Sequence, residues 1–272
     1  MRSYDEWSRY FQECSHKNFA KIDDHHIEWG GLVWKVLRET DYHNSIVYVH
    51  GNNLILKITP VTDEAILEIS YQKKLNRVCS VLQHFPVSVF HEIWEKNNII
   101  FHVQEKRGID LRTFMMEENR RWDEDHWFGL FTQLFFAIYF MNTVAHLSHR
   151  DLHWTNVLIM ESDKTDLTYH MEDNDYVLHD QMYIFSVCDL ASCRDSKEDG
   201  FEEYAAFVSS IFRWIRRFHF MERPHHVGLF ISDIRSDIYE GRHCMKSVFD
   251  RYIHRWVTKK SSGCTDVHEE NS

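Results

Sequence analysis

Asp151 and Asn156 stand five residues apart in His149-Arg150-Asp151-Leu152-His153-Trp154-Thr155-Asn156-Val157-Leu158, and another acid follows in Val187-Cys188-Asp189-Leu190-Ala191. These residue types suit phosphoryl transfer. A hydroxyl attacking a terminal phosphate needs an acceptor for its proton, and the phosphate oxygens need a hard cation held by oxygen ligands. Asp151 fits the first need; Asn156 and Asp189 fit the second. An HRDL run with an amide at this offset is much rarer than HRD alone, which also occurs in solvated turns.

Such side chains need rigid elements to position them. An apolar stretch, Trp122 to Leu147, reads as a buried helix ending just before the polar loop His149 to Asn156. A loop leaving a packed helix is held firmly enough to place a general base. Short buried strands, Val157 to Met160 and Ile184 to Val187, flank the cation-binding residues.

Upstream, Tyr4, Trp7, Tyr10, Phe11 and Cys14 recur at helical spacing, giving a helical extension over residues 1–24. β-rich runs follow at 32–37, 45–49 and 54–58, separated by polar turns such as Gly51-Asn52-Asn53, and suggest an antiparallel meander. Pro60 stops the third strand, and Asp63-Glu64 opens a helix reaching about Leu82, with its acids at the positive end of the dipole. Strands at 87–94 and 99–104 precede a turn, Glu105 to Gly108. Downstream helices are expected at Leu111 to Asn119, Phe201 to Phe220 and Tyr239 to Val257, with a polar tail over 259–272.

The chain has 272 residues, 43% hydrophobic and 15% aromatic, enough for a large core and a length suited to one two-lobed module. Its net charge of −11 argues against direct nucleic-acid binding and favours a basic peptide partner. Six cysteines without a CxxC pair, and an N-terminus without an apolar signal run, predict an intracellular protein with reduced thiols. No apolar stretch is long enough for a membrane span. Twenty histidines show no HExxH or paired Cys/His spacing, so they read as surface or satisfied core residues.

Lys57 lies inside the apolar run Leu54-Ile55-Leu56-Lys57-Ile58 and requires a carboxylate partner, which the next helix offers in Glu64 or Glu68; Glu68 is preferred. A strand lysine braced by a helix glutamate is how protein kinases hold α- and β-phosphates. From Gly30 to Arg194 the chain resembles protein kinases, and most of all the haspin family of atypical serine/threonine kinases. HRDLHWTNVL is similar to that family's HRDLHWGNVL, Leu67-Glu68-Ile69 to its Pro-Glu-Ile, and Gly108-Ile109-Asp110-Leu111 to its GIDL. The 38-residue interval from Asp151 to Asp189 also resembles haspin, which inserts a hairpin there.

The resemblance implies an α+β, two-lobed protein-kinase-like fold: a small antiparallel β-rich N-lobe with one long helix (25–104), a hinge (105–108) and a larger, mainly helical C-lobe (109–258). It implies that Asp151 is the catalytic base, that Asn156 and Asp189 bind Mg2+, and that Lys57 and Glu68 form the phosphate-binding pair. Glu105 to Gly108 would contact the adenine of ATP, Asp110 its ribose, and His153 the γ-phosphate. Gly30, Gly31 and Val36 would supply the glycine-rich loop, although Trp29-Gly30-Gly31-Leu32-Val33-Trp34-Lys35-Val36 matches GxGxxGxV only at its middle glycine and final valine. Asp189-Leu190-Ala191 replaces Asp-Phe-Gly, and no Ala-Pro-Glu follows, as in haspin itself.

The substrate implied is a threonine in the N-terminal tail of histone three, modified during mitosis by a monomer in the nucleus and on chromosomes. Glu198-Asp199 and Glu202-Glu203 are candidate tail contacts. A second reading is a pseudokinase scaffold, because Trp29 and Trp34 would crowd the phosphates. A third is a small-molecule phosphotransferase, whose loop commonly carries HGD rather than HRD.

Overall fold

Seven antiparallel strands build the first half of the protein: β1 (Ala20–Lys21), β2 (His26–Trp29), β3 (Leu32–Thr40), β4 (Ser45–His50), β5 (Leu54–Pro60), β6 (Ser88–Trp94) and β7 (Ile99–Glu105). Their order is β1-β2-β3-β4-β5-β7-β6. The structure, a computed structural model, describes residues 4–13, 19–40, 45–51, 53–79, 83–117, 122–218, 225–239 and 244–259. Two helices belong to this half, α1 (Tyr4–Glu13) and α2 (Asp63–Cys79).

Alternation along each strand divides the sheet's faces. Tyr48, Leu54, Leu56, Phe101 and Val103 are buried in one cluster with Trp29, Trp34 and Phe11 of α1. Phe11 stacks on Trp29 with centroids 5.3 Å apart. On the opposite face Ile100 meets Ala65 and Ile69 of α2. One row of paired residues crosses the sheet through Arg38, Val47, Lys57 and His102. His102 is buried and bonded to the Ser88 hydroxyl at 2.9 Å. Burial, with Lys57 nearby, holds its pKa down to about 3, so the ring is neutral and does not compete for Glu68.

Helices dominate the second half: α3 (Leu111–Glu117), α4 (Glu124–Thr143), α5 (Phe201–Phe218), α6 (His225–Tyr239) and α7 (Met245–Arg251). β8 (Ile109–Asp110), β10 (Val157–Met171), β11 (Asn174–Val187) and β13 (Thr258–Lys259) form a four-stranded sheet in the order β13-β11-β10-β8. β9 (Leu147–Ser148) pairs with β12 (Arg194–Asp195). Asp123 caps α4 by accepting from the His126 amide at 3.0 Å. Gln133 lies fully buried on α4 because β11 offers it partners: the Tyr183 carbonyl at 2.9 Å and the Phe185 amide at 3.0 Å.

Antiparallel sheets with helices segregated beside them make this an α+β protein, as expected. Among the described residues there are seven α-helices, and none is long and apolar enough to cross a membrane.

Several expected boundaries differ. The strands placed at 157–160 and 184–187 are the bases of one long hairpin, whose mostly exposed and irregularly paired middle, 161–166 and 179–182, interrupts the apolar pattern before Leu167, Tyr169 and Met171 are buried again. The last expected helix, Tyr239 to Val257, is instead α6 ending at Tyr239 and a short α7. β1 and β2 lie next to or within the region assigned to the extension and were not anticipated as strands. The proposed ends at Leu82, Asn119 and Phe220, Cys14, and the tail from 260 fall outside the described residues. Among the described residues, Cys193 and Cys244 form no disulfide.

One strap joins the halves. His84, between α2 and β6, donates or accepts at both ring nitrogens, with the Phe185 carbonyl at 2.6 Å and the Tyr169 hydroxyl at 2.8 Å. Its own carbonyl accepts from the Val187 amide at 2.8 Å. Complete burial pushes its pKa down to about 4, so the neutral ring serves as a fixed two-sided link.

Candidate active site

The base of the β10–β11 hairpin brings the predicted loop and the distant acid together. Val157 pairs with Val187, and the Cys188 amide donates to the Asn156 carbonyl at 3.0 Å. His149, buried under the loop, bonds through Nε2 to the Cys188 carbonyl at 2.8 Å. Asp151, Asn156 and Asp189 are thus held at one end of one hairpin. Arg150 and Asp189 both adopt left-handed backbone, φ 65° in each case, although neither is glycine. Strained backbone of this kind gathers where geometry is imposed by function.

Within the loop, the Asn156 amide donates to the His153 carbonyl at 2.8 Å and its side-chain Nδ2 to the Asp151 carbonyl at 2.9 Å. Nδ2 also approaches His153 Nε2 at 3.3 Å, so Oδ1 is the atom left to meet a cation. Asp151 is exposed, and its Oδ2 lies 3.6 Å from His153 Nε2. His153 Nδ1 bonds the Thr155 hydroxyl at 2.7 Å, which orients the ring beside Asp151.

Lys57 and Glu68 meet as expected: Nζ lies 2.7 Å from one carboxylate oxygen and 3.0 Å from the other. α2 packs on the turn Leu190–Ser192, immediately after Asp189. Cys193 records the convergence of charge, because burial first, then the carboxylates of Glu203, Asp189 and Glu68, push its thiol pKa well up.

The connection between the halves is also built tightly. The Glu105 amide donates to the Val87 carbonyl and the Lys106 amide to the Asn53 carbonyl, both at 2.9 Å. The Glu105 carboxylate pairs with Arg107 at 2.8 Å. Gly108, at φ 71°, lies against the Ile159 backbone. Asp110 Oδ1 accepts from the Thr113 amide at 2.9 Å, capping α3 with one oxygen.

Gly30, Gly31 and Val36 do not join this cluster. The two glycines form the β2–β3 turn, at the far end of β3 from Arg38, which is in the row of Lys57. Tyr10 donates its hydroxyl to the Gly30 carbonyl from the α1 side. Val36 packs on the aromatic cluster, on the sheet face opposite Lys57. Trp29 and Trp34 are fully buried in that cluster, so they do not stand over the Lys57 face. The misplacement arose from reading a Gly-Gly pair as a phosphate loop when it serves a tight hairpin. The β3–β4 connection, residues 41–44, lies outside the described residues.

Glu203 is a site residue the sequence concealed. From the first turn of α5 its Oε1 accepts from the Arg150 amide at 2.8 Å, and its Oε2 from the His149 amide at 3.2 Å and the Ser148 hydroxyl at 3.4 Å. It therefore anchors the backbone just before Asp151, and is not available as a peptide contact. Asp199 is likewise spent, accepting from the Phe201 and Met245 amides. Glu198, ion-paired with Arg150 at 3.5 Å, and Glu202 are exposed on a groove of about 470 Å³ that also includes Leu152. An acid at a helix start reads as dipole compensation, so no signal separated Glu203 from Glu202.

Among the described residues, no three or more His, Cys, Asp or Glu side chains assemble a metal site. Asn156 Oδ1 and Asp189 would supply two hard oxygens, a set suited to Mg2+ that keeps phosphates and water as its other ligands. No protein-family model and no curated protein matches this sequence.

Proposed function

We propose that this protein is an ATP- and Mg2+-dependent protein serine/threonine kinase with a two-lobed, kinase-like fold resembling haspin. The observation that carries the reading is an ion-paired strand lysine, Lys57–Glu68, together with a loop bearing Asp151 and Asn156 that meets the chain before Asp189 at one hairpin base. Bound magnesium-ATP would supply the phosphoryl group and the cation that neutralises its oxygens. Lys57 would hold the inner phosphates, with Glu68 keeping the ammonium in place. Val47, paired with Lys57, and Ile55, two residues before it on the same face, would meet the purine.

Asn156 Oδ1 and the Asp189 carboxylate would hold the cation. Asp151 would accept the proton of the attacking hydroxyl, and His153 beside it could donate a hydrogen bond to the terminal phosphate. The exposed carboxylates Glu198 and Glu202, with the net charge of −11, favour a basic peptide such as the histone three tail. That substrate would place the protein on chromosomes in the nucleus.

The reading is tested by incubating the protein with mixed histones, choline, aminoglycosides and γ-labelled ATP. Label in a histone band is expected. Label only in a small molecule would replace the protein-kinase reading, and no label with either Mg2+ or Mn2+ at high enzyme concentration would remove it.

A further inference from the structure

α5 grips the Asp151 loop on both sides of that residue. Near the helix start Glu203 holds the amides of His149 and Arg150. Further along, Trp214 stacks on Trp154 with ring centroids 4.4 Å apart and planes 23° apart. An interval of eleven residues brings a helix back to nearly the same direction, about 16 Å along its axis. Both anchors therefore lie on one face of one rigid rod.

Trp154 falls between Asp151 and Asn156 in sequence, and only 7% of it is exposed. Half-buried Trp214 continues the stack to Phe218, 5.1 Å away and 8° from parallel. Arg112 lies over Trp154 at 5.9 Å and Arg217 over Trp214 at 5.6 Å, closing the ladder with cations. Stacked aromatic pairs prefer a narrow set of geometries, so the ladder fixes direction as well as adding contact. Because Asn156 is bonded back to the Asp151 and His153 carbonyls, a movement of Trp154 would shift the Asn156 side chain and the Asp151 backbone together.

We infer that Trp214 is a positioning residue: acting through Trp154, it sets where the Asn156 amide stands relative to the Asp151 carboxylate. This rests on the phosphoryl-transfer reading above. It acts through Asn156 and the Asp151 loop, and makes no contact with the Lys57–Glu68 pair.

Trp214→Ala and Trp214→Phe test it, with amide hydrogen exchange and steady-state kinetics measured on the full chain. The Ala variant should exchange faster at residues 153–156 while α4 keeps its protection. Its kcat should fall about 10- to 100-fold, as small misplacements of reacting groups do. The Phe variant should recover most of both. Unchanged exchange in the Ala variant overturns the inference whatever the activity, and so does an unchanged kcat per folded molecule. Faster exchange in a protein whose wild type transfers no phosphate supports the mechanical link and overturns the phosphoryl-transfer reading instead.

Discussion

Asp151→Asn is expected to lower phosphoryl transfer by ~10²- to 10⁴-fold, the contribution of a positioned general base. The amide matches the carboxylate in shape but cannot take the hydroxyl proton. Asp151 is exposed, and among the described residues its side chain approaches only His153, so stability should be unchanged. KM for ATP should hold as well, because in the proposed reaction the carboxylate would face the attacking hydroxyl rather than the nucleotide. Single-turnover transfer on a histone substrate reads the effect. A loss smaller than about tenfold would mean that another group accepts the proton.

Gly108→Ala should be the most damaging change to the fold near the cleft. At φ 71° an alanine is strained, and its Cβ would overlap the Ile159 carbonyl oxygen and lie 2.7 Å from the carbonyl carbon. Left-handed strain costs about 1–2 kcal/mol and overpacking about 1–3, so a loss of about 2–5 kcal/mol is expected. Gly51→Ala is the natural control, with a similar φ of 57° and nothing within 4 Å of the new Cβ. It should lose only the strain. Urea unfolding of both variants separates the two terms, and equal losses would show that the close approach to Ile159 is not rigid.

The parts of this architecture that were legible share a physical cause. Lys57 announced its partner because a lysine within an apolar strand must be paired, and α2 announced its start through Pro60 and two acids. The Asp151 loop was legible because its three residue types are jointly demanding. Illegible features depend on distance in space rather than on local pattern. Glu203 anchors amides more than fifty residues away, and nothing in Glu202-Glu203 distinguishes the two. Gly30-Gly31 misled because glycine answers a backbone need common to hairpins and phosphate loops. Only the register of β3, β4 and β5 shows that its turn is remote from Lys57.

If Lys57, Asn156 and Asp189 surround the phosphates of a magnesium-bound nucleotide, ATP must stabilise the protein in a magnesium-dependent way. Unfolding is followed with ATP at about 100 times its dissociation constant, with and without Mg2+, in the wild type and in Asp189→Asn. Stabilisation of about 2.7 kcal/mol is expected in the wild type with magnesium. It should shrink sharply without the cation and in the variant. A wild type that gains no stability from ATP at any magnesium concentration would contradict the account.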